Sequence, residues 1–349
     1  MRRHLALLLL GAAVAVAAFA GASRTGTRAQ PAYAFGEGGE SVRIALRRGQ
    51  APPDFTGGPI TAADGETVTV FVENALLAVD PTANQHWADV LTELLHGPEI
   101  GQATLLVATL DRVRQICGAR ALGCYSSFTG SIVAVGQDQS YITAQAVVTH
   151  EYGHHVANSR DNSPWTAVNW GTKRWASYLN VCTRAQRGEL VPGDEGQSYQ
   201  LNPGEVFAED YRLLNERRAG LPESAWAVVA SSLYPDQTAL DLLALDVTTP
   251  WTGETTTTYR IAFGPRAVGR GVRLATPYDG SFSATLTSPA KTRFVLRVVD
   301  LTLGKELVSD STPAREQGVE LLVCGQRSLQ IQVRRVSGAG TVTLSVTKP

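Results

Sequence analysis

Apolar positions recur along the chain with two different periods, and the change from one to the other divides it. Residues 67–72 (Thr-Val-Thr-Val-Phe-Val) alternate as a half-buried strand does. Over 84–96, Trp87, Val90, Leu91, Leu94 and Leu95 fall at helical spacing. Residues 103–110 read as a buried strand, 111–116 as a short helix ending near Gly118, and 131–135 as a further strand. A helix is expected from about 141 to 157, packed through Ile142, Ala146, Val147 and Val148 and ended by Asn158, Ser159 and Pro164. Trp175, Leu179 and Cys182 share helical spacing and read as core, and 189–197 as a loop. Asn202 and Pro203 suit the N-cap and first position of another helix, which Gly220 closes. Residues 222–246 read as two short helices split by Pro235.

Beyond a Thr-rich break at 248–258 the period is that of strands alone. Short strands are expected at 259–263, 271–275, 281–286, 293–299, 320–324, 328–333 and 341–346, with Gly- and Pro-rich turns between them. That spacing implies an antiparallel β-sandwich. The expected architecture is therefore an α+β region at 41–247 followed by an all-β region at 257–349. The strand at 131–135 precedes the long helix. As an edge strand it would hold an extended peptide by main-chain pairing, and as an internal strand it would only pack.

The N-terminus changes the compartment. Arg2 and Arg3 precede an apolar run at 5–20, and Ala18-Phe19-Ala20 or Ala20-Gly21-Ala22 offers a small-residue cleavage site. We read 1–22 as an export signal and 23–40 as a linker or short pro-segment. Read instead as a membrane anchor, the run is near the short limit for spanning. No second long apolar stretch follows, so no stable membrane insertion is expected after cleavage. The chain has 31 Lys and Arg against 32 Asp and Glu, and loss of the signal removes two arginines. A mildly acidic balance gives no reason to expect nucleic acid or an anionic membrane as partner. Four cysteines suit an exported protein. Of three formal pairings we favour Cys117–Cys124, closing a turn-rich loop with Gly118 and Gly123, which leaves Cys182 with Cys324. No C-x-x-C pair supports a cysteine-based zinc site.

The candidate chemistry lies in His150-Glu151-Tyr152-Gly153-His154. On a helix the two histidines stand one turn apart on one face and can reach one metal ion, with Glu151 placed to activate water rather than to bind. The bland alternative is a polar helix that happens to carry these residues. His155 is rotated off that face. His86 and His96 have no ligand-spaced neighbour and read as surface or rim residues. A protease-type zinc site needs a third protein ligand. Glu205 and Glu209 lie four apart on the helix that Asn202 opens. One carboxylate can bind the metal while the other accepts the free N–H of a ligating histidine. Without the upstream motif the same pair would read as a solvated acidic face.

His-Glu-Tyr-Gly-His at 150–154, followed at 198–212 by S-Y-x-x-N-P-x-E-x-F-A-E-x-Y-R, resembles the gluzincin metallopeptidases. The likeness is closest to anthrax lethal factor and related secreted bacterial zinc peptidases, and it covers about 147–212. It implies a zincin-like catalytic domain at 41–247 and Zn2+ held by His150, His154 and Glu205. Glu151 is then the general base and Glu209 the support of a histidine ligand. Tyr199 matches the tyrosine that donates to the oxyanion or the leaving amine, although its spacing departs by one residue from the lethal factor pattern. Tyr211 is the poorer alternative. The implied activity is that of a secreted endopeptidase acting on protein or peptide without a covalent intermediate. The C-terminal sandwich resembles modules that follow the catalytic domains of secreted bacterial peptidases, where it would bind substrate or cell surface or merely stabilise the enzyme. Two other readings are a non-catalytic exported binding protein on a zincin scaffold, against which the intact Glu151 argues, and a zinc hydrolase of a non-peptide amide.

Overall fold

A computed structural model describes residues 49–349 and the backbone of Ala34–Glu37. The expected export signal lies outside the described residues, as does most of the expected linker. Six strands build a mixed sheet: β1 (Ala34–Glu37), β2 (Phe55–Thr61), β3 (Thr67–Glu73), β4 (Thr104–Ala108), β5 (Ala121–Ser126) and β6 (Ser131–Val135). Their order is β1-β5-β6-β4-β3-β2. Strands β3, β4 and β6 run parallel, while β5 is antiparallel to β6 and β2 to β3. Every residue of β4, β5 and β6 is buried, which is why these strands lack the alternation that β3 shows.

Of the two readings of residues 131–135 the internal strand holds: flanked by β5 and β4, they offer no free edge. One expectation changes. The segment after Gly118, read as a turn-rich loop, instead contains β5, whose glycine breaks up an otherwise apolar run. Within the expected linker, Ala34–Glu37 pair in parallel with β5 as the outermost strand.

The longer helices are α1 (Ala83–Glu93), α2 (Leu110–Cys117), α3 (Ala144–Asn158), α4 (Lys173–Tyr178), α5 (Val181–Gln186), α6 (Pro203–Ala219) and α7 (Gln237–Thr248). Helix α3 starts at Ala144 rather than near 141 because Thr143 caps it, its hydroxyl accepting from Ala146 N at 3.1 Å. The Asp138 carboxylate takes the Ala144 amide as well, at 2.9 Å. Almost all of α3 is buried, so it has no polar face, and its ionisable residues must find partners inside the protein. Helix α6 opens with the Asn202 side chain accepting from Gly204 N at 3.0 Å and closes at Gly220, whose φ is 67°. The two helices expected over 222–246 reduce to one. A single 3-10 turn at Ser231–Leu233 precedes α7, whose N-cap Asp236 accepts from Ala239 N at 2.8 Å.

After residue 254 the chain is antiparallel β-structure. Its strands are β9 (Thr255–Phe263), β10 (Gly269–Thr276), β11 (Gly280–Thr287), β12 (Arg293–Asp300), β13 (Lys305–Asp310), β14 (Glu316–Val323), β15 (Arg327–Ser337) and β16 (Gly340–Lys348). A two-residue hairpin, β7 (Asp161–Asn162) and β8 (Trp165–Thr166), comes earlier in the chain. The C-terminal strands form sheets ordered β10-β15-β12-β13 and β14-β11-β16-β9. Both contribute to one core that includes Phe282 and Leu344 from one sheet and Phe294 and Ile331 from the other. Strand β13, which the seven expected strands omit, carries no buried residue and so left little apolar signature.

The described residues belong to one compact unit. Cys117–Cys124 ties the end of α2 to β5, and Cys182–Cys324 ties α5 to the segment after β14. Buried Lys173 adds a second link between the same regions. Its ammonium donates to the carbonyls of Ser163 at 2.7 Å and Asp279 at 3.0 Å, and lies 4.2 Å from the centre of the Trp251 ring. No helix among the described residues is long and apolar enough to cross a membrane. The two disulfides fit an extracellular protein.

Candidate metal centre

Helices α3 and α6 cross where neither carries bulk. A β-carbon placed on Gly153 would stand 3.0 Å from the Ala208 α-carbon and 3.2 Å from the Tyr211 β-carbon. The missing side chain lets the backbones approach, and the polar residues flanking the crossing meet. His150 and His154 come from α3 and Glu205 from α6; all three are buried, with ligand atoms within 4.8 Å of one another. No other group of this kind occurs among the described residues.

The separations suit one shared ion. His150 Nε2 is 3.2 Å from Glu205 Oε2, and His154 Nε2 is 3.4 Å from Glu205 Oε1. Ligands bonded to tetrahedral zinc at its usual lengths stand about 3.3 Å apart. His154 Nε2 and Glu205 Oε1 are buried with no hydrogen-bond partner among the described residues. Buried lone pairs this close together are costly unless a proton or a cation lies between them. Two imidazoles and one carboxylate also match the donor set of hydrolytic zinc sites.

The surroundings fix the ring and the charge. Glu209 Oε1 accepts from His150 Nδ1 at 3.0 Å, which leaves the Nε2 lone pair toward the centre. Burial alone would push both histidines down. The hydrogen bonds and charges of Glu205 and Glu209 outweigh it for His150, and Glu205 does so for His154, so both stand above 6.5. Burial pushes the Glu205 carboxyl up, but His154 and His150 overcome it and bring Glu205 down to about 2. Metal-free, the site thus keeps Glu205 ionised and its histidines inclined to hold protons.

Glu151 is fully buried beside the group, and its charge helps to raise both His154 and Tyr199. The space it occupies is left by Gly123 of β5. A β-carbon there would lie 2.7 Å from Glu151 Oε1 and 2.9 Å from its Cγ. Tyr199 reaches the group from the other side, donating to Glu205 Oε2 at 2.5 Å. Burial first, and then the negative charge of Glu205, push this phenol well above its usual range, so it remains a proton-bearing donor.

The other sequence candidates stand apart. His155 Nε2 donates to the Glu99 carbonyl at 2.9 Å, which leaves Nδ1 to accept from the Tyr125 hydroxyl at 3.2 Å. His86 is exposed, and His96 is half-buried against the carbonyls of Gly97 and Thr92. The Tyr211 hydroxyl donates to the Leu95 carbonyl at 2.5 Å, so it is committed to packing α6. Asp210, which the sequence does not single out, accepts from the Trp175 indole at 2.7 Å. The sequence ties neither Gly123, which reads there as a turn residue, nor Gly153 nor Arg212 to the centre. For Gly153 a signal was present, since a glycine inside a helical metal motif suggests close approach by another backbone.

No family model matches the chain, and no curated protein matches it. Among solved structures, the pre-peptidase C-terminal domain of a collagenase from Bacillus anthracis aligns at 11% identity, covering 26% of this chain and 88% of that one, with a TM-score of 0.24. A mitogen from Yersinia pseudotuberculosis aligns at 14% identity over 27% of this chain and 86% of its own, with a TM-score of 0.23. The IMPa metallopeptidase from Pseudomonas aeruginosa aligns at 12% identity over 73% of this chain and 38% of that one, with a TM-score of 0.21. Likenesses this slight carry no part of the assignment, which rests on the residues of the centre.

Proposed function

We propose that the chain is a secreted zinc-dependent endopeptidase with a zincin-like catalytic region and protein or peptide substrates. The observation that carries this reading is the buried convergence of His150, His154 and Glu205 with Glu151 alongside. His150, His154 and Glu205 would hold Zn2+, with Glu209 orienting His150. When bound there, the ion would supply Lewis acidity toward a water and a carbonyl oxygen. Glu151 accepts the proton of the attacking water and returns it to the leaving nitrogen. Tyr199, kept protonated by its surroundings, donates to the oxygen that gains charge as the carbonyl becomes tetrahedral.

Cleavage of casein or a peptide library by the purified protein tests the reading. Activity should vanish on chelation, return with zinc and be lost in Glu151→Gln without loss of bound metal. Activity indifferent to chelation would overturn the metal assignment. Zinc binding without cleavage of any peptide would favour a non-peptide amide or a binding role.

A further inference from the structure

We infer that Arg212 is a positioning residue for the metal centre, acting through Glu209 on His150; this rests on the metal-binding reading above. Glu205, Glu209, Arg212 and Glu216 recur at the spacing of one face of α6. Arg212 is fully buried, a costly place for a guanidinium unless its geometry is used. Its Nε and Nη2 donate to a single oxygen, Glu209 Oε2, at 3.0 and 2.5 Å. The other oxygen, Oε1, is left facing His150 Nδ1 at 3.0 Å. Pinning one oxygen twice stops the carboxylate from turning, and with it the imidazole whose Nε2 faces the metal. The third contact anchors the guanidinium. Nη1 donates to Glu216 Oε2 at 2.6 Å, and that oxygen also accepts from Ser224 N at 3.0 Å. The centre is thus aimed from outside α3 by a line of charged groups along α6.

An ordinary buried ion pair would contribute to stability alone, and the two roles separate experimentally. Zinc affinity is measured by competition with a chelator, alongside thermal unfolding of the metal-free protein. Lysine at 212 keeps the charge but cannot hold one oxygen from two directions. Arg212→Lys should weaken zinc binding about tenfold and Arg212→Met about a hundredfold, the range seen when groups behind metal ligands are lost. Glu216→Gln removes the negative charge that anchors the guanidinium but keeps an oxygen to accept from it, so it should lower stability and weaken zinc binding by less than Arg212→Lys does. In a Glu209→Ala background, Arg212→Lys should have little further effect on affinity, because the group that joins Arg212 to His150 is gone. If affinity instead tracks stability across all these variants, or if the Arg212 and Glu209 effects simply add, the positioning role fails. Should the Arg212 variants not fold, the Arg212 Nε–H resonance of the unmodified protein decides. It should shift on zinc loading, and an unmoved resonance overturns the proposal. Failure of the unmodified protein to bind zinc would instead overturn the metal reading itself.

Discussion

Gly153 and Ala208 face each other at the crossing of α3 and α6, with 3.0 Å between the Ala208 α-carbon and the place a β-carbon on Gly153 would take. A glycine inside a helix normally costs stability, and replacing it by alanine gains about 1 kcal/mol. Here the added methyl meets backbone, and overpacking of that kind costs about 1–3 kcal/mol. Gly153→Ala should therefore fail to stabilise the protein and should weaken zinc binding, because the helices that carry His150, His154 and Glu205 are pushed apart. Unfolding temperature and chelator competition measure the two effects. A stabilised variant with unchanged affinity would show that the close approach is incidental.

Gly123 bears on Glu151, the proposed base, rather than on the three candidate ligands. Its missing β-carbon makes room for the Glu151 carboxylate, and methyl and carboxylate cannot share that space. Gly123→Ala should leave zinc affinity unchanged and lower kcat/KM by about a hundredfold, the scale of a misplacement near 1 Å. Equal activity of the two proteins would remove Glu151 from the proposed role.

The protonation of the centre sets a direction with pH. His150 and His154 hold protons to higher pH than 6.5 when no metal is present, while Glu205, near 2, stays ionised throughout. Zinc must displace those protons, so its apparent affinity should fall as pH drops through this range, by about tenfold per unit for each proton displaced. The metal-free protein moves the other way. Its raised histidines contribute stability that is fully present below 6.5 and lost as pH rises through their folded-state values. Calorimetric titration and metal-free melting at several pH values should give slopes of opposite sign.

Lys173 holds two regions of the chain through carbonyl oxygens of Ser163 and Asp279. Lys173→Met preserves most of the stem but leaves both oxygens without this donor. It should destabilise the protein by about 1–3 kcal/mol, read from denaturant unfolding. An unchanged midpoint would mean that other groups or water replace the ammonium.

The centre itself was legible before the fold. His150, His154, Glu205 and Glu209 announce themselves because a helix converts spacing directly into a shared face, and Asn202, Pro203 and Gly220 mark where α6 begins and ends. What escaped depends on contacts between distant segments. Strand β5 was hidden because burial on both faces removes alternation and Gly123 resembles a turn residue. The role of Gly123 is visible only against Glu151, and that of Arg212 only once Glu209 is seen against His150 of the other helix. Whether residues 131–135 form an edge or an internal strand is undecidable in the sequence, because the strand that covers their outer side is β5 itself. Helix α3 was drawn too long at its start because Ile142 fits the apolar pattern, while Thr143 and Asp138, which stop it, are ordinary polar residues until their hydrogen bonds are seen.

The bond between Cys182 and Cys324 spans the connector at 249–254, with a sequence separation of 142 residues. The connector is therefore not the molecule's only covalent route from its helices to its C-terminal sheets. A nick made there by a neighbouring protease would leave two polypeptides travelling as one particle. They would part on a gel only after reduction. Wherever proteases reach the connector, such redundancy keeps a single cut from becoming a separation.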